Sequence, residues 1–219
     1  MKTAREQATL KLSTEEKRAA MMNCDKKIMN IFWGALVVVL IPAIARAHGH
    51  AGESGFVSGL NHPVFGFDHL LAIVTVGLLS AQIGGSALWS VPATFVSVMA
   101  VGGVLGMNGV RLPWVEYGIA VSVLALGTAL ISARKLPVIV AMSFVGVFAL
   151  FHGHAHGSEM PYLSEPALYA LGFSLATACL HVLGAVTGYV ALRHKSGIKL
   201  LRLTGILIAV SGVYFVAQV

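Results

Sequence analysis

Residues 136–161 read LPVIVAMSFVGVFALFHGHAHGSEMP, and this stretch decides the fold class. It opens with an apolar run that reads like a buried helix and ends in histidines at alternate positions, with a carboxylate just beyond. These polar residues are His152, His154, His156 and Glu159. Ionisable groups at the end of an apolar segment are typical of a membrane helix with a functional site.

Apolar segments of this kind recur through the chain. The 219-residue sequence is 57% hydrophobic and 11% charged, whereas soluble domains contain about 25% charged residues. A helix needs about 20 apolar residues to cross a bilayer. Six segments approach or exceed this length, at roughly 64–84, 87–109, 115–133, 137–152, 166–192 and 200–218. The sequence therefore predicts an all-α polytopic membrane protein, with about six transmembrane helices in a domain over residues 62–219.

Residues 1–47 are predicted to be a leader that contains a cleaved signal peptide. Lys26 and Lys27 precede the apolar run IMNIFWGALVVVLIPAIA, which leads into the small-residue motif ARA at 45–47. This order of basic, apolar and small residues is that of a secretory signal, so we expect cleavage after Ala47. An uncleaved first transmembrane helix is the alternative interpretation.

Cleavage would leave residues 48–61 as a periplasmic N-terminus. It would begin His48-Gly49-His50, and a free amine, backbone amides and a third-position imidazole suit Cu²⁺ or Ni²⁺ in square-planar geometry. The alternative is a solvated chain end without a metal.

The charges predict the orientation in the membrane. If the mature N-terminus is exported, the loops at 134–136 and 193–199 lie inside, and most basic residues of the mature chain fall on or beside them. Those residues are Arg134, Lys135, Arg193, Lys195, Lys199 and Arg202. Only Arg111 falls outside, so the positive-inside rule is satisfied. No basic stripe with interleaved aromatics is present, so we expect the bilayer, and not a nucleic acid, as a partner.

This orientation brings a second polar motif, HPVFGFDH at 62–69, to the same outer end as the histidines of 152–156. His62 and His69 are seven residues apart and are predicted to share a helical face. Asp68 lies within an apolar segment, where a carboxylate normally faces a cavity or a partner. Local capping or pairing of Asp68 is the alternative.

The histidine segment itself has two predicted conformations. In a helix, His152 and His156 share a face and Glu159 lies one turn further. A bend at Gly153 or Gly157 would also turn His154 inward. Imidazoles with a carboxylate suit Zn²⁺, Ni²⁺, Co²⁺ or Cu²⁺. A solvated polar loop is the alternative.

His181 lies in the apolar run ATACLHVLGAVTG. It is some 14 residues into its segment, about 21 Å below the outer surface at 1.5 Å per residue. We expect it to be an inner step on the route of an ion, although a lone histidine also serves in helix–helix hydrogen bonding.

Three stretches together resemble the HupE/UreJ family of bacterial membrane proteins: HPVFGFDHLLA (62–72), FHGHAHGSEMP (151–161) and LATACLHVLGAVTG (175–188). The resemblance implies a nickel or cobalt permease of the inner membrane, associated with hydrogenase or urease maturation proteins. It implies uptake of Ni²⁺ or Co²⁺ from the periplasm, and its candidate ligands are His62, Asp68, His69, His152, His156 and Glu159. A larger nickel/cobalt transporter family carries His-x4-Asp-His, but here five residues separate His62 from Asp68.

Two other classes of function remain open at this point. A membrane metalloenzyme or haem protein could use histidines as ligands, but the motifs HExxH and CxxCH are absent. The prediction is therefore a protein that is not an enzyme. A periplasm-facing metal sensor or donor would need the outer histidines but not His181.

Overall fold

The computed structural model describes residues 55–160 and 165–219, which form helices and no strand. The helices are α1 (Gly55–Phe65), α2 (Phe67–Ile83), α3 (Ala87–Met107), α4 (Val115–Ser132), α5 (Val138–Ser158), α6 (Pro166–Leu192) and α7 (Gly197–Val216). Helices α3 to α7 are long and apolar enough to cross a membrane, and the bent pair α1–α2 supplies a sixth candidate span. The predicted all-α polytopic class is confirmed. The leader, its cleavage site, His48 and His50 lie outside the described residues.

Helix α2 lies at the centre of the bundle. Every residue from His69 to Ala81 is buried, and the helix contacts each of the other described helices. Apolar side chains cover its whole circumference, as expected for a helix surrounded by protein. It ends where Gly84 adopts a φ of 78° and donates its N–H to the carbonyl oxygen of Ser80. Burial of α2 begins at His69, which therefore lies at one end of the bundle interior.

Glycines hold α3 and α5 in close parallel contact. A Cβ atom on Gly102 or Gly106 of α3 would collide with the backbone of α5, and one on Gly153 or Gly157 would collide with the backbone of α3. Small residues allow helices in lipid to approach until their backbones touch. This packing fixes the rotation of the last two turns of α5, which carry the histidines.

The two ends of the bundle differ in chemistry. The starts of α2, α4 and α6 lie with the ends of α3, α5 and α7 at what we call the histidine end, where the Phe67 and Phe215 rings are 6.0 Å apart. The opposite, basic end carries Arg134, Lys135, Arg193, Lys195, Lys199 and Arg202. Between the ends, the outer helices expose valine, leucine and isoleucine side chains, which suits contact with lipid.

Candidate metal centre

The polar motif HPVFGFDH at 62–69 is divided by a break at Gly66. Helices α1 and α2 meet there at an angle of 81°. Gly66 has an extended backbone conformation, and Pro63 lies in the last turn of α1. The prediction that His62 and His69 share one helical face is therefore wrong, because the two residues lie on different helices. The bend nevertheless directs both side chains to the end of α5.

The histidine segment at 152–156 continues α5 without a bend or a loop. The helix runs to Ser158, so the fourth span is longer than the predicted 137–152. His152 and His156 share a face, as the helical interpretation predicted. All three histidines of the motif are buried, with exposed fractions of 0% for His152, 8% for His154 and 2% for His156.

Four imidazole rings from three helices form a continuous file, which with Glu159 we call the histidine cluster. Ring centroids of His62 and His156 are 4.6 Å apart, those of His156 and His69 are 4.2 Å apart, and those of His69 and His152 are 4.9 Å apart. One ligand atom from each of His62, His156 and Glu159 lies within 4.8 Å of the others. The predicted convergence of residues from remote parts of the sequence is thus present in the structure.

Hydrogen bonds orient two of these rings toward the interior of the cluster. His69 Nδ1 donates to the Asp68 carboxylate at 2.9 Å, and His152 Nδ1 donates to the carbonyl oxygen of Phe148 at 3.0 Å. Because both partners accept these bonds, Nε2 is the nitrogen that carries the lone pair in the neutral form of each ring. Neither Nε2 has a partner among the described residues, and neither ring nitrogen of His156 has one.

Asp68 forms a hydrogen bond with His69. It does not contribute to the set of converging ligand atoms from His62, His156 and Glu159. Its carboxylate also accepts the backbone N–H of His69 at 2.8 Å. A carboxylate that holds the distal N–H of a histidine fixes its tautomer and increases its basicity as a metal ligand. The local pairing considered as an alternative for Asp68 thus occurs, and it serves the same cluster.

The cluster opens to solvent through Glu159 and His62. The Glu159 side chain is 52% exposed and that of His62 is 24% exposed, whereas His152 at the other end of the file is fully buried. His62 Nε2 donates to Glu159 at 3.3 Å, and this hydrogen bond holds the pKa of Glu159 below its ordinary value. Glu159 is therefore an ionised carboxylate at neutral pH, in position to attract a cation.

Phe95 of α3 connects the cluster to His181. Its fully buried ring lies 5.6 Å from the ring of His152 and 5.1 Å from that of His181. His181 is 1% exposed, and neither of its ring nitrogens has a partner in the described chain. The hydroxyl of Thr177, one turn earlier on α6, is also buried and has no partner within residues 55–160 and 165–219. A second polar position thus lies beyond the cluster, separated from it by one aromatic ring.

His154 lies outside this arrangement. Its Nε2 donates to the carbonyl oxygen of Val110 at 2.6 Å, in the connection between α3 and α4. The structure therefore brings together His62, Asp68, His69, His152, His156 and Glu159, places His181 behind Phe95, and leaves His154 in a structural contact.

Three neighbours of the cluster were not predicted. Phe95 has no distinguishing feature within its apolar segment. Glu116, in the first turn of α4, interacts electrostatically with Glu159, His69 and Asp68. The Tyr169 ring lies 5.9 Å from that of His62, and its buried hydroxyl has no partner among the described residues. Glu116 stands at the start of the predicted segment 115–133, opposite the inside loop at 134–136, and this position could have added it to the site.

The fold and the cluster define a polytopic helical membrane protein with a buried file of imidazoles that opens at one end. The chain belongs to the HupE / UreJ protein family, whose model matches residues 36–215. It is 46% identical over 178 residues to Protein HupE of Rhizobium leguminosarum bv. viciae. This alignment covers 81% of the present chain and 92% of the relative. No solved structure matches the chain. Family membership supports a role related to nickel or cobalt transport.

Proposed function

We propose that this protein transports a divalent transition metal ion, Ni²⁺ or Co²⁺, from the periplasm to the cytoplasm across the bacterial inner membrane. The observation that carries the proposal is the file of imidazole rings that runs from the partly exposed His62 to the buried His152. The buried rings of this file, His69, His152 and His156, each present a nitrogen without a partner among the described residues. A hydrated dication needs replacement ligands to enter lipid, and neutral imidazoles and carboxylates supply them.

The geometry of the cluster fits such an ion. Imidazole and carboxylate donors lie about 2.0–2.2 Å from a bound metal, so opposed donor atoms are at most about 4.4 Å apart. The donor atoms of His62, His156 and Glu159 lie within 4.8 Å of one another, so the distances between them need to shorten only slightly to bind an ion. His62 can supply this movement because its side chain is partly exposed. Zn²⁺ and Cu²⁺ would fit the same donors.

The arrangement favours passage over storage. The buried donors of the cluster are the imidazole nitrogens of His69, His152 and His156, and no thiolate is among them. Thiolates are soft ligands that would bind the ion tightly and retain it. Conduction requires sites that bind well enough to admit an ion and weakly enough to release it. We propose that the ion is stripped of water at Glu159 and His62, passes to His69, His152 and His156, and reaches His181 when the Phe95 ring moves aside.

Contacts between the rings favour this proposal over a haem protein. The ring centroid of His69 lies less than 5 Å from those of His152 and His156, so His69 is in contact with both rings. A macrocycle would need an open slot between two axial histidines, and these rings fill the space where it would lie.

Hydrogenase or urease maturation proteins are the proposed recipients of the metal inside the cell.

Metal uptake into proteoliposomes tests the transport proposal. We expect His152→Ala to abolish uptake of ⁶³Ni²⁺ and of Co²⁺, whereas His154→Gln, a change to a buried histidine of the same helix outside the cluster, retains it. His181→Ala should also block uptake but leave metal binding at the histidine end intact. Full uptake by His181→Ala would instead identify a sensor or donor that uses only the outer cluster. Full uptake by His152→Ala would refute the route.

A further inference from the structure

The basic end of the bundle contains a cavity that the proposed ion route does not use. The cavity has a volume of about 450 Å³ and lies among the ends of α2 and α6, the start of α3 and the connection between α4 and α5. Two basic side chains line it, Lys135 and Arg193. They are 58 positions apart in the sequence and come from different helix ends, so the fold brings their charges together at one opening.

The other basic residues of this end do not line the cavity. Arg134, Lys195, Lys199 and Arg202 are absent from its wall, although they lie in the same connections or at the start of α7. The positive-inside rule accounts for cations at this end in general, but it does not account for two of them at the wall of one cavity. Arg193 is also positioned by an aromatic contact, with its guanidinium carbon 5.4 Å from the centre of the Tyr189 ring.

An apolar groove of about 460 Å³ continues from this cavity along the outside of the bundle. Leu88 and Tyr189 line both spaces. Apart from His181 and Tyr189, the groove is lined by aliphatic and aromatic side chains of α3 and α6. From Leu88 to Val96 it follows α3 for about 12 Å at 1.5 Å per residue. Its walls include Trp89, Val182 and Val186, which are 76%, 53% and 54% exposed on the surface that faces lipid.

We propose that an anionic phospholipid, of the phosphatidylglycerol type, occupies these two spaces as one site. Its phosphate would lie in the cavity between Lys135 and Arg193, and one acyl chain would lie in the groove between α3 and α6. Basic pockets between transmembrane helices are known to suit anionic lipid head groups. Each space falls within the range of about 300–1,000 Å³ that is usual for ligand sites.

The two halves of the site together specify a lipid. A free phosphate would pair with the two cations but would leave the apolar groove empty. A neutral lipid would fill the groove but would leave the two cations without an anionic partner. The acyl chain would also cover Val182 and Val186 of α6, whose side chains are exposed in the groove. The proposal does not depend on transport by the histidine cluster.

Native mass spectrometry of the full-length protein in detergent tests the site. We expect the protein to retain dioleoylphosphatidylglycerol more strongly than dioleoylphosphatidylcholine. Lys135→Gln and Arg193→Gln should each lower the affinity for phosphatidylglycerol by about fivefold, the effect of removing one cation near an anionic lipid. Arg134→Gln and Lys195→Gln are the matched controls, and they should leave the affinity unchanged.

A second pair of variants tests the groove. Ala93 is an exposed residue of the groove wall, and Ala93→Trp should fill the groove and weaken phosphatidylglycerol binding. Ala100→Trp, at an exposed position of the same helix outside the groove, should not. Equal retention of the two lipids, or equal loss in the control variants, overturns the proposal. Displacement of the lipid by excess inorganic phosphate assigns the cavity to free anions and overturns it as well.

Discussion

At the scale of single residues, the contact between Asp68 and His69 lets a carboxylate outside the three converging donor atoms orient one of the candidate ligands. Asp68 holds Nδ1–H of His69, so Nε2 keeps its lone pair directed into the cluster. The same carboxylate lies in the first turn of α2, where a negative charge is favoured by the helix dipole. Its loss should therefore lower the stability of the fold by up to about 1 kcal/mol, in addition to its effect on metal affinity.

Asp68→Asn is expected to lower the affinity for Ni²⁺ by about 10- to 100-fold, as is typical when the partner of a ligating histidine is changed. Isothermal titration calorimetry of the purified protein measures the affinity, and thermal unfolding in detergent checks the fold. Glu165→Gln removes an exposed carboxylate just before α6 and serves as the control, with no change in affinity expected. Unchanged affinity in Asp68→Asn would show that His69 is oriented without its carboxylate partner.

Residue types in the cluster were predictable from the sequence, but their individual roles were not. Imidazoles and acids in apolar segments identify a site because such groups are costly in lipid. The sequence does not show which nitrogen of a ring is already hydrogen-bonded, and this decides that His152 faces the cluster while His154 contacts Val110. Phe95 was missed because a phenylalanine in an apolar segment carries no signal of its own.

At the scale of helices, the seam between α3 and α5 determines where the histidines lie. Gly157 packs so closely on α3 that a Cβ atom would collide with the carbonyl oxygen of Gly103. Gly146, on the same helix, has space for one, because the nearest atom would be Thr94 Cγ2 at 3.7 Å. The two glycines therefore offer matched substitutions in one helix.

Gly157→Ala should destabilise the protein by about 1–3 kcal/mol, the usual cost of overpacking. It should also weaken metal binding, because His156 is the adjacent residue. Gly146→Ala should instead be neutral or stabilise the protein by up to about 1 kcal/mol, because alanine is favoured over glycine in a helix. Thermal unfolding and metal titration of both variants check this pair. Similar stabilities would show that the α3–α5 seam tolerates separation.

The helices themselves were predicted well, and their interruptions were not. Apolar length located the spans and the histidine segment proved to be helical, as one of the two interpretations required. The break at Gly66 was not predicted, because the sequence HPVFGFDH contains no strong helix stop and glycine is also common inside transmembrane helices. A spacing of seven residues indicates a shared face only while the helix continues, and here it does not.

At the scale of the whole molecule, the described chain places its acids and five of its imidazoles at one end, and its loop cations other than Arg111 at the opposite end, where His194 also lies. This separation follows from the alternation of helix direction, and it was predictable from apolar segments and charges before any contact was known. Packing of α1 against α6 and of α3 against α5, both through glycines, then brings the remote motifs into contact. That packing depends on shape, which the charge pattern does not contain.

The direction of transport depends on which end faces the periplasm. The positive-inside rule predicts that the basic end is cytoplasmic and that the histidine end is periplasmic. Single cysteines report this when placed at Asn108, exposed at the histidine end, and at Ser196, exposed at the basic end. The native Cys24 and Cys179 are first replaced by alanine. A membrane-impermeant maleimide added to intact spheroplasts should label Asn108→Cys at once and Ser196→Cys only after permeabilisation. The reverse pattern would place Glu159 and His62 in the cytoplasm, and the cluster would then be an exit for metal and not its entrance.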